Sequence, residues 1–226
     1  MVHLVSALHG GAPASTKVRR PASACGEEQQ AVVLINNCSK DADALEAEEV
    51  TAACHDFAAV LERSEHQNGF FVAMIESADR ATFAAGTDRA FNTGSNLFGI
   101  PPDNETNLVS ALKTTLELLR SCLPLTRESA SNHRPVVILL SSGLADSHKL
   151  PDELVTEFRG MANVVTAVLG TVVVEGVLRK IVTSPRHFYR CRNQRELESF
   201  LASLGGTLIW AKAADKNAIH ALEHLG

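Results

Sequence analysis

Three runs without a polar break, Ala31–Ile35, Phe70–Ile75 and Pro135–Leu140, decide what this chain folds into. Each is short for a core helix and lacks the polar alternation of a half-solvated strand, so each reads as a strand buried on both faces. Between them lie segments with helical spacing. From about Asp41 to Arg63, Val50, Cys54, Phe57 and Leu61 share one face, and Asp41, Asp43, Glu46 and Glu48 crowd the positive N-terminal end. Arg80–Ala85 reads as a short strand paired with the second run. Thr106 opens a helix that buries Leu108, Leu112, Leu116 and Leu119. Leu154 and Phe158 mark another helix, followed by a strand over Asn163–Leu169 that ends at Gly170. A short helix over Val174–Val182 and a strand over His187–Arg190 come next. The last helix turns Leu197, Phe200, Leu201 and Leu204 inward, with Gly205-Gly206 as its expected stop. Alternation of this kind predicts an α/β class: a doubly wound, mostly parallel sheet of about six strands with helices on both faces. The simplest strand order is 3-2-1-4-5-6, with the third strand antiparallel.

Outside residues 30–206 the text changes. Residues 1–29 are rich in Gly, Ala, Ser and Pro and read as a partly flexible N-terminal arm. Residues 207–226 read as a C-terminal tail with a short helix, expected to dock through Trp210. Within the domain, the polar stretch from Gly86 to Glu105 is long for a connection, which marks it as a candidate functional surface anchored by Phe91, Leu97 and Phe98.

Composition closes several routes. A formal charge of −5 gives no basic surface of the kind that neutralises phosphates, so nucleic acid is a poor partner. Five cysteines without a CxxC spacing disfavour both zinc and a disulfide framework, and Cys54 and Cys122 fall on apolar helix faces as buried thiols. No run approaches the roughly 20 apolar residues that span a bilayer. The N-terminal segment lacks the basic and apolar regions of a signal peptide, so a cytoplasmic protein with no membrane partner is expected. There is no Gly-rich phosphate loop, HExxH or GxSxG, and this is the main argument against an enzyme. His133-Arg134 and Arg186-His187 flank strands and read as loop edges.

In sheets of this type ligands collect beyond the carboxyl ends of the strands. Those ends read Asn36-Asn37-Cys38-Ser39-Lys40, Asn104-Glu105-Thr106-Asn107-Leu108, and Ser141-Ser142-Gly143 followed by Asp146. Their order and setting resemble the von Willebrand factor A (vWA) family, whose metal-ion-dependent adhesion site uses three such loops. The family's first loop is Asp-x-Ser-x-Ser, its second supplies a Thr, and its third an Asp after an apolar strand. On that comparison Asn36 stands at the Asp, Cys38 and Lys40 at the two Ser, Thr106 at the retained Thr and Ser142 at the third-loop Asp. Val164–Gly170, Ser184–Arg190 and Arg195–Leu201 are similar to bacterial tellurite-resistance (TerY-like) vWA proteins. Together the similarities cover roughly residues 30–205.

The departures have a direct chemical meaning. A hard cation such as Mg²⁺ takes oxygen ligands and usually one or two carboxylates. Asn36 and Ser142 remove two negative charges and Lys40 adds a positive one, a swing of about three charge units against metal. At about 4 Å and an effective dielectric near 20, each unit charge acts on another by roughly 4 kcal/mol. Cysteine is also a poor ligand for a hard ion. The expectation is therefore a degenerate site that holds no metal and needs no cofactor. Lys40 either fills the vacated position, paired with Glu105 or Asp146, or is a solvated loop lysine.

The resemblance implies a non-enzymatic, protein-binding adaptor or scaffold that uses Asn36, Cys38, Ser39, Lys40, Glu105, Thr106, Ser142 and Asp146. A bacterial stress-response or defence assembly is the implied setting, with an unidentified protein partner. Two alternatives stand beside it. Glu105 or Asp146 rebuilds a metal-dependent binding site, or Cys38, with Asn36 and Ser142, serves a small-molecule-binding or hydrolytic domain.

Overall fold

The computed structural model describes residues 30–38, 44–61, 63, 69–77, 81–85, 107–122, 134–142, 150–170 and 175–223. The apolar runs are strands: β1 (Gln30–Cys38), β2 (Phe70–Ser77), β4 (Val136–Ser142) and β5 (Asn163–Leu169). Two shorter strands, β3 (Ala81–Ala85) and β6 (Phe188–Cys191), complete a six-stranded sheet in the order β3-β2-β1-β4-β5-β6. β3 is antiparallel to β2 and the other pairings are parallel, as the alternating text predicts.

Helices cover both faces because successive strand residues point to opposite sides. Val32, Leu34, Val136, Ile138, Leu140, Val165 and Ala167 pack with α1 (Ala44–Leu61) and α5 (Gln194–Ala213). Val33, Ile35, Ala73, Ile75, Val137, Leu139, Val164 and Val168 pack beneath α2 (Asn107–Cys122), α3 (Asp152–Met161) and α4 (Glu175–Ile181). The expected inward faces hold: Val50, Cys54, Phe57 and Leu61 of α1, Leu108, Leu112, Leu116 and Leu119 of α2, and Phe158 of α3 are all buried.

The end of the chain departs from expectation. Gly205-Gly206 does not stop the last helix, which continues to Ala213. The physical reason is helix packing. A Cβ on Gly205 would stand 3.5 Å from Phe57 Cε2 and 3.8 Å from Val60 Cγ1, so the bare backbone lies close against α1. Leu208 and Ala211 then extend the same buried face beyond the glycines. Trp210 does not dock the tail: it is 54% exposed, with Lys216 Nζ 4.8 Å from its ring centre. Docking runs instead through Ala218 and Leu222 of the short α6 (Ala218–Leu222), both buried in the core shared by α1 and α5.

Asn193 starts α5 by accepting a hydrogen bond from the Glu196 N–H at 3.0 Å, while Glu196 reaches back to the Arg192 N–H at 2.9 Å. Reciprocal bonds of this kind satisfy N–H groups that a helix start leaves without partners. A 3-10 turn, Pro185–His187, leads into β6 and folds His187 completely inside, so it is not a loop edge. Burial pushes its pKa down, while the Glu223 carboxylate and the Val164 backbone pull it back up. Among the described residues neither ring nitrogen meets strict hydrogen-bonding geometry, so the Val164 contact is a loose one.

Candidate functional site

The parallel strands end on one edge of the sheet, and between β1 and β4 the strand order reverses. The helix after β1 packs on one face, whereas α3, after β4, packs on the other. Such a divergence opens a crevice at the strand ends, the usual ligand position in open α/β sheets. The register brings the sequence-nominated positions together across this point: Asn36 lies beside Leu140, Asn37 beside Ser141, and Cys38 beside Ser142. On its other side Asn36 lies beside Glu76 of β2.

Hydrogen bonds tie both strand-end asparagines to neighbouring elements. Asn36 Nδ2 donates to Thr51 Oγ1 of α1 at 2.8 Å, and the asparagine is only 6% exposed. Asn37 Nδ2 donates to Ser141 Oγ at 3.5 Å, the outer limit of such a bond, between two buried side chains. Alternation along β1 explains the split, since Asn36 shares the parity of Val32 and Leu34, and Asn37 that of Val33 and Ile35. The strand end thus has two neutral amides, one engaged with Thr51 of α1 and the other with the end of β4. At the neighbouring end of β5, Gly170 takes φ 76°, which glycine adopts without strain, and its N–H donates to the Cys191 carbonyl at 3.1 Å.

Cys38 and Ser142 are adjacent by backbone register, but nothing is described of their side chains. Ser39, Lys40, Glu105, Thr106 and Asp146 lie outside the described residues, as do the Gly86–Glu105 loop and residues 1–29. Asn107, the first residue of α2, directly follows Thr106. His55 is exposed on α1, twelve residues into that helix when Ala44 is counted as the first, well separated along the chain from the Cys38 turn. Among the described residues no three His, Cys, Asp or Glu side chains group as a metal site. Cys54 and Cys191 are buried free thiols, and burial, with help from Glu196, pushes the Cys191 pKa up to about 11. Among the described residues no helix is long and apolar enough to cross a membrane.

Sequence reasoning passed over Thr51 and the Asn37–Ser141 pair. The signal was present in strand parity: consecutive asparagines at a strand end cannot both face one ligand, so each needs a partner on its own side of the sheet.

No family model and no curated protein matches this sequence. Solved structures do match its fold. Proximal thread matrix protein 1 from the mussel byssus, in a structure described with a zinc-occupied MIDAS motif, superposes with a TM-score of 0.52 at 19% identity. That match covers 83% of this chain and 46% of the mussel protein. A von Willebrand factor type A protein from Catenulispora acidiphila gives a TM-score of 0.55 at 15% identity, over 80% of this chain and 43% of that one. The pilus adhesin SpaC from Lactobacillus rhamnosus GG gives 0.54 at 10% identity, over 82% and 31%. This chain thus spans less than half the length of the solved proteins it resembles. The strand order of this chain, its parallel core and these superpositions give it a von Willebrand factor A-type fold.

Proposed function

We propose that this protein is a non-enzymatic, vWA-type binding domain that engages a protein partner at the carboxyl ends of β1 and β4 without a metal ion. The observation that carries the reading is the hydrogen bond from Asn36 to Thr51. At the position where the family resemblance places a metal-ligating carboxylate, this chain has an amide that donates to a helix hydroxyl. The neutral side chains of Asn36, Asn37 and Ser141 offer donors and acceptors to a partner's polar side chains and themselves supply no carboxylate to a cation. Protein binding also fits the adhesin among the structural matches, although that likeness reaches the fold alone. A bacterial stress-response or defence assembly is the setting carried by the TerY-like resemblance, and a cytoplasmic location belongs to the same proposal.

The mussel protein's zinc-occupied motif motivates the competing reading, in which Glu105 or Asp146 rebuilds a cation site. One experiment separates the two. The tagged chain is used to capture partners from its native lysate, in parallel with excess Mg²⁺ and with EDTA, and the captured protein is then tested in purified form. Equal retention in both lanes, weakened by Asn36→Ala, is the expected result. Loss of the purified partner in EDTA, restored by Mg²⁺ or Zn²⁺, overturns metal independence. A thiol reagent that labels Cys38 and abolishes a turnover detected in the purified protein would overturn the non-enzymatic reading.

A further inference from the structure

The β6 edge of the sheet carries a second surface, independent of the strand-end reading. Between Glu175 and Glu196 the chain has six cations, Arg179, Lys180, Arg186, Arg190, Arg192 and Arg195, and no carboxylate. They come from the end of α4, the turn before β6, β6 itself and the start of α5, all grouped about the last strand of the sheet. In a chain with 21 Lys and Arg and a net charge of −5, this is a local reversal of sign.

β6 is also an edge. Among the described residues no strand lies beyond it. The Cys191 carbonyl accepts from the Gly170 N–H of the β5 side, so Tyr189 and Cys191 turn their backbone groups toward β5. By strand alternation Phe188 and Arg190 turn theirs outward, where an added strand would pair.

The cations at this edge are partly held in place. Glu175 ion-pairs with both Arg179 and Arg190, and the Arg179 guanidinium lies over the Phe188 ring at 4.2 Å. On the other face Tyr189 packs against Phe200 with ring centres 4.4 Å apart. Arg192 Nε lies 3.7 Å from Glu196 Oε1, a loose pair on the surface that leaves its side chain 88% exposed. Lys180, Arg186 and Arg195 make no ion pair with a described residue. Aromatic rings therefore brace both faces of the strand, and cations surround the edge beyond which no described strand lies.

We propose that the β6 edge binds an acidic, extended polypeptide segment, which adds to the sheet as a seventh strand. Its backbone pairs with Phe188 and Arg190, and its carboxylates meet Arg186, Arg190 and Arg192. Main-chain pairing supplies registry and the cations supply selection, the division of labour of strand addition. The same cations reject a second copy of this edge, because like charges brought opposite each other disfavour pairing. A polyanion without a pairing backbone fits less well, since the outward N–H and C=O groups then gain nothing.

The test uses the full chain and a fluorescein-labelled Glu-Val alternating peptide of about eight residues, a common strand length. Anisotropy should show saturable binding of this peptide and none of its Lys-Val counterpart. Methylating alternate backbone nitrogens of the peptide should weaken binding about tenfold, and the neutralised pair Arg186→Gln and Arg192→Gln should do the same. Hydrogen exchange at the Phe188 and Arg190 amides should slow in the complex. Absence of binding overturns the proposal and leaves the cations as a guard on an exposed edge. Equal binding by the methylated peptide, or by an oligothymidylate of matched charge, overturns strand addition, and both readouts use the unmodified protein.

Discussion

The glycine pair in α5 gives the sharpest test of the fold, because the two ways of reading it predict opposite signs. If Gly205-Gly206 ended the helix, one of them would occupy the left-handed region, where alanine costs roughly 1 kcal/mol or more. In the structure both sit inside a continuous helix, and Gly170 alone has positive φ among the described glycines. Glycine within a helix is about 0.8–1.0 kcal/mol less favourable than alanine. A Cβ at Gly206 meets nothing within 4 Å, and one at Gly205 meets Phe57 and Val60 at ordinary contact distances. Gly205→Ala with Gly206→Ala should therefore stabilise the protein by about 2 kcal/mol. For a chain of this size that is a rise in Tm of roughly 4–8 °C. Gly205→Leu should do the reverse, losing about 1–3 kcal/mol as its larger side chain is driven into Phe57. Thermal unfolding followed by circular dichroism measures both variants and Gly206→Ala alone. A fall in Tm for Gly206→Ala alone would refute the continuous helix, since no contact is present there to blame.

The remaining expectations concern buried polar groups and thiols. A double-mutant cycle of Asn36→Ala and Thr51→Val should return a coupling of about 1 kcal/mol by urea denaturation; a value near zero would remove the hydrogen bond from the account of the site. Desolvation lowers the His187 pKa in the folded state, so the unfolded chain takes up the proton first as pH falls. Its stability contribution is whole above the unfolded value of about 6.5 and is lost as pH drops from there through the lowered folded value. The pH dependence of unfolding free energy should accordingly be flatter in His187→Gln than in the parent across that window, and an unchanged profile would count against a buried neutral imidazole. Cys54 and Cys191 should resist iodoacetamide in the native protein near about pH 8 and react once unfolded, as read by mass spectrometry.

How far the sequence carried can be judged residue by residue. Ala31–Ile35 and Pro135–Leu140 announced buried parallel strands because no solvated strand tolerates such runs, while the order with its reversal between β1 and β4 was the simplest arrangement beside the vWA resemblance. The heptad-like face of α2 was equally plain in its leucines. Gly205 was misread because local propensity treats a glycine pair as a stop, whereas close approach to Phe57 is a property of two helices far apart in sequence. His187 was placed at a loop edge for the same reason: nothing in Ser184-Pro185-Arg186-His187 reveals that the turn folds the imidazole inside. At the site, Asn36, Cys38 and Ser142 were nominated from the motif, and the register makes them neighbours. Thr51 was not nominated, since a threonine in a helix looks like an ordinary surface residue until the strand it faces is known.

That Asn36 is tied to Thr51 also bears on what the strand end can do. A residue that must reorient to meet a ligand loses its existing partner, and a buried donor left unsatisfied costs about 1–3 kcal/mol. Under the proposed binding role, the Asn36–Thr51 bond holds its side of the strand end more firmly, and the longer 3.5 Å contact between Asn37 and Ser141 is the easier of the two for a partner to exchange. On this argument the face toward α2 and β4 is the adaptable side of the site. Substitutions at Asn37 and Ser141 should act mainly on binding, whereas those at Asn36 and Thr51 should act on stability as well. An inverted pattern, with Asn37→Ala destabilising and Asn36→Ala silent in unfolding, would place the rigid wall on the other side of the sheet.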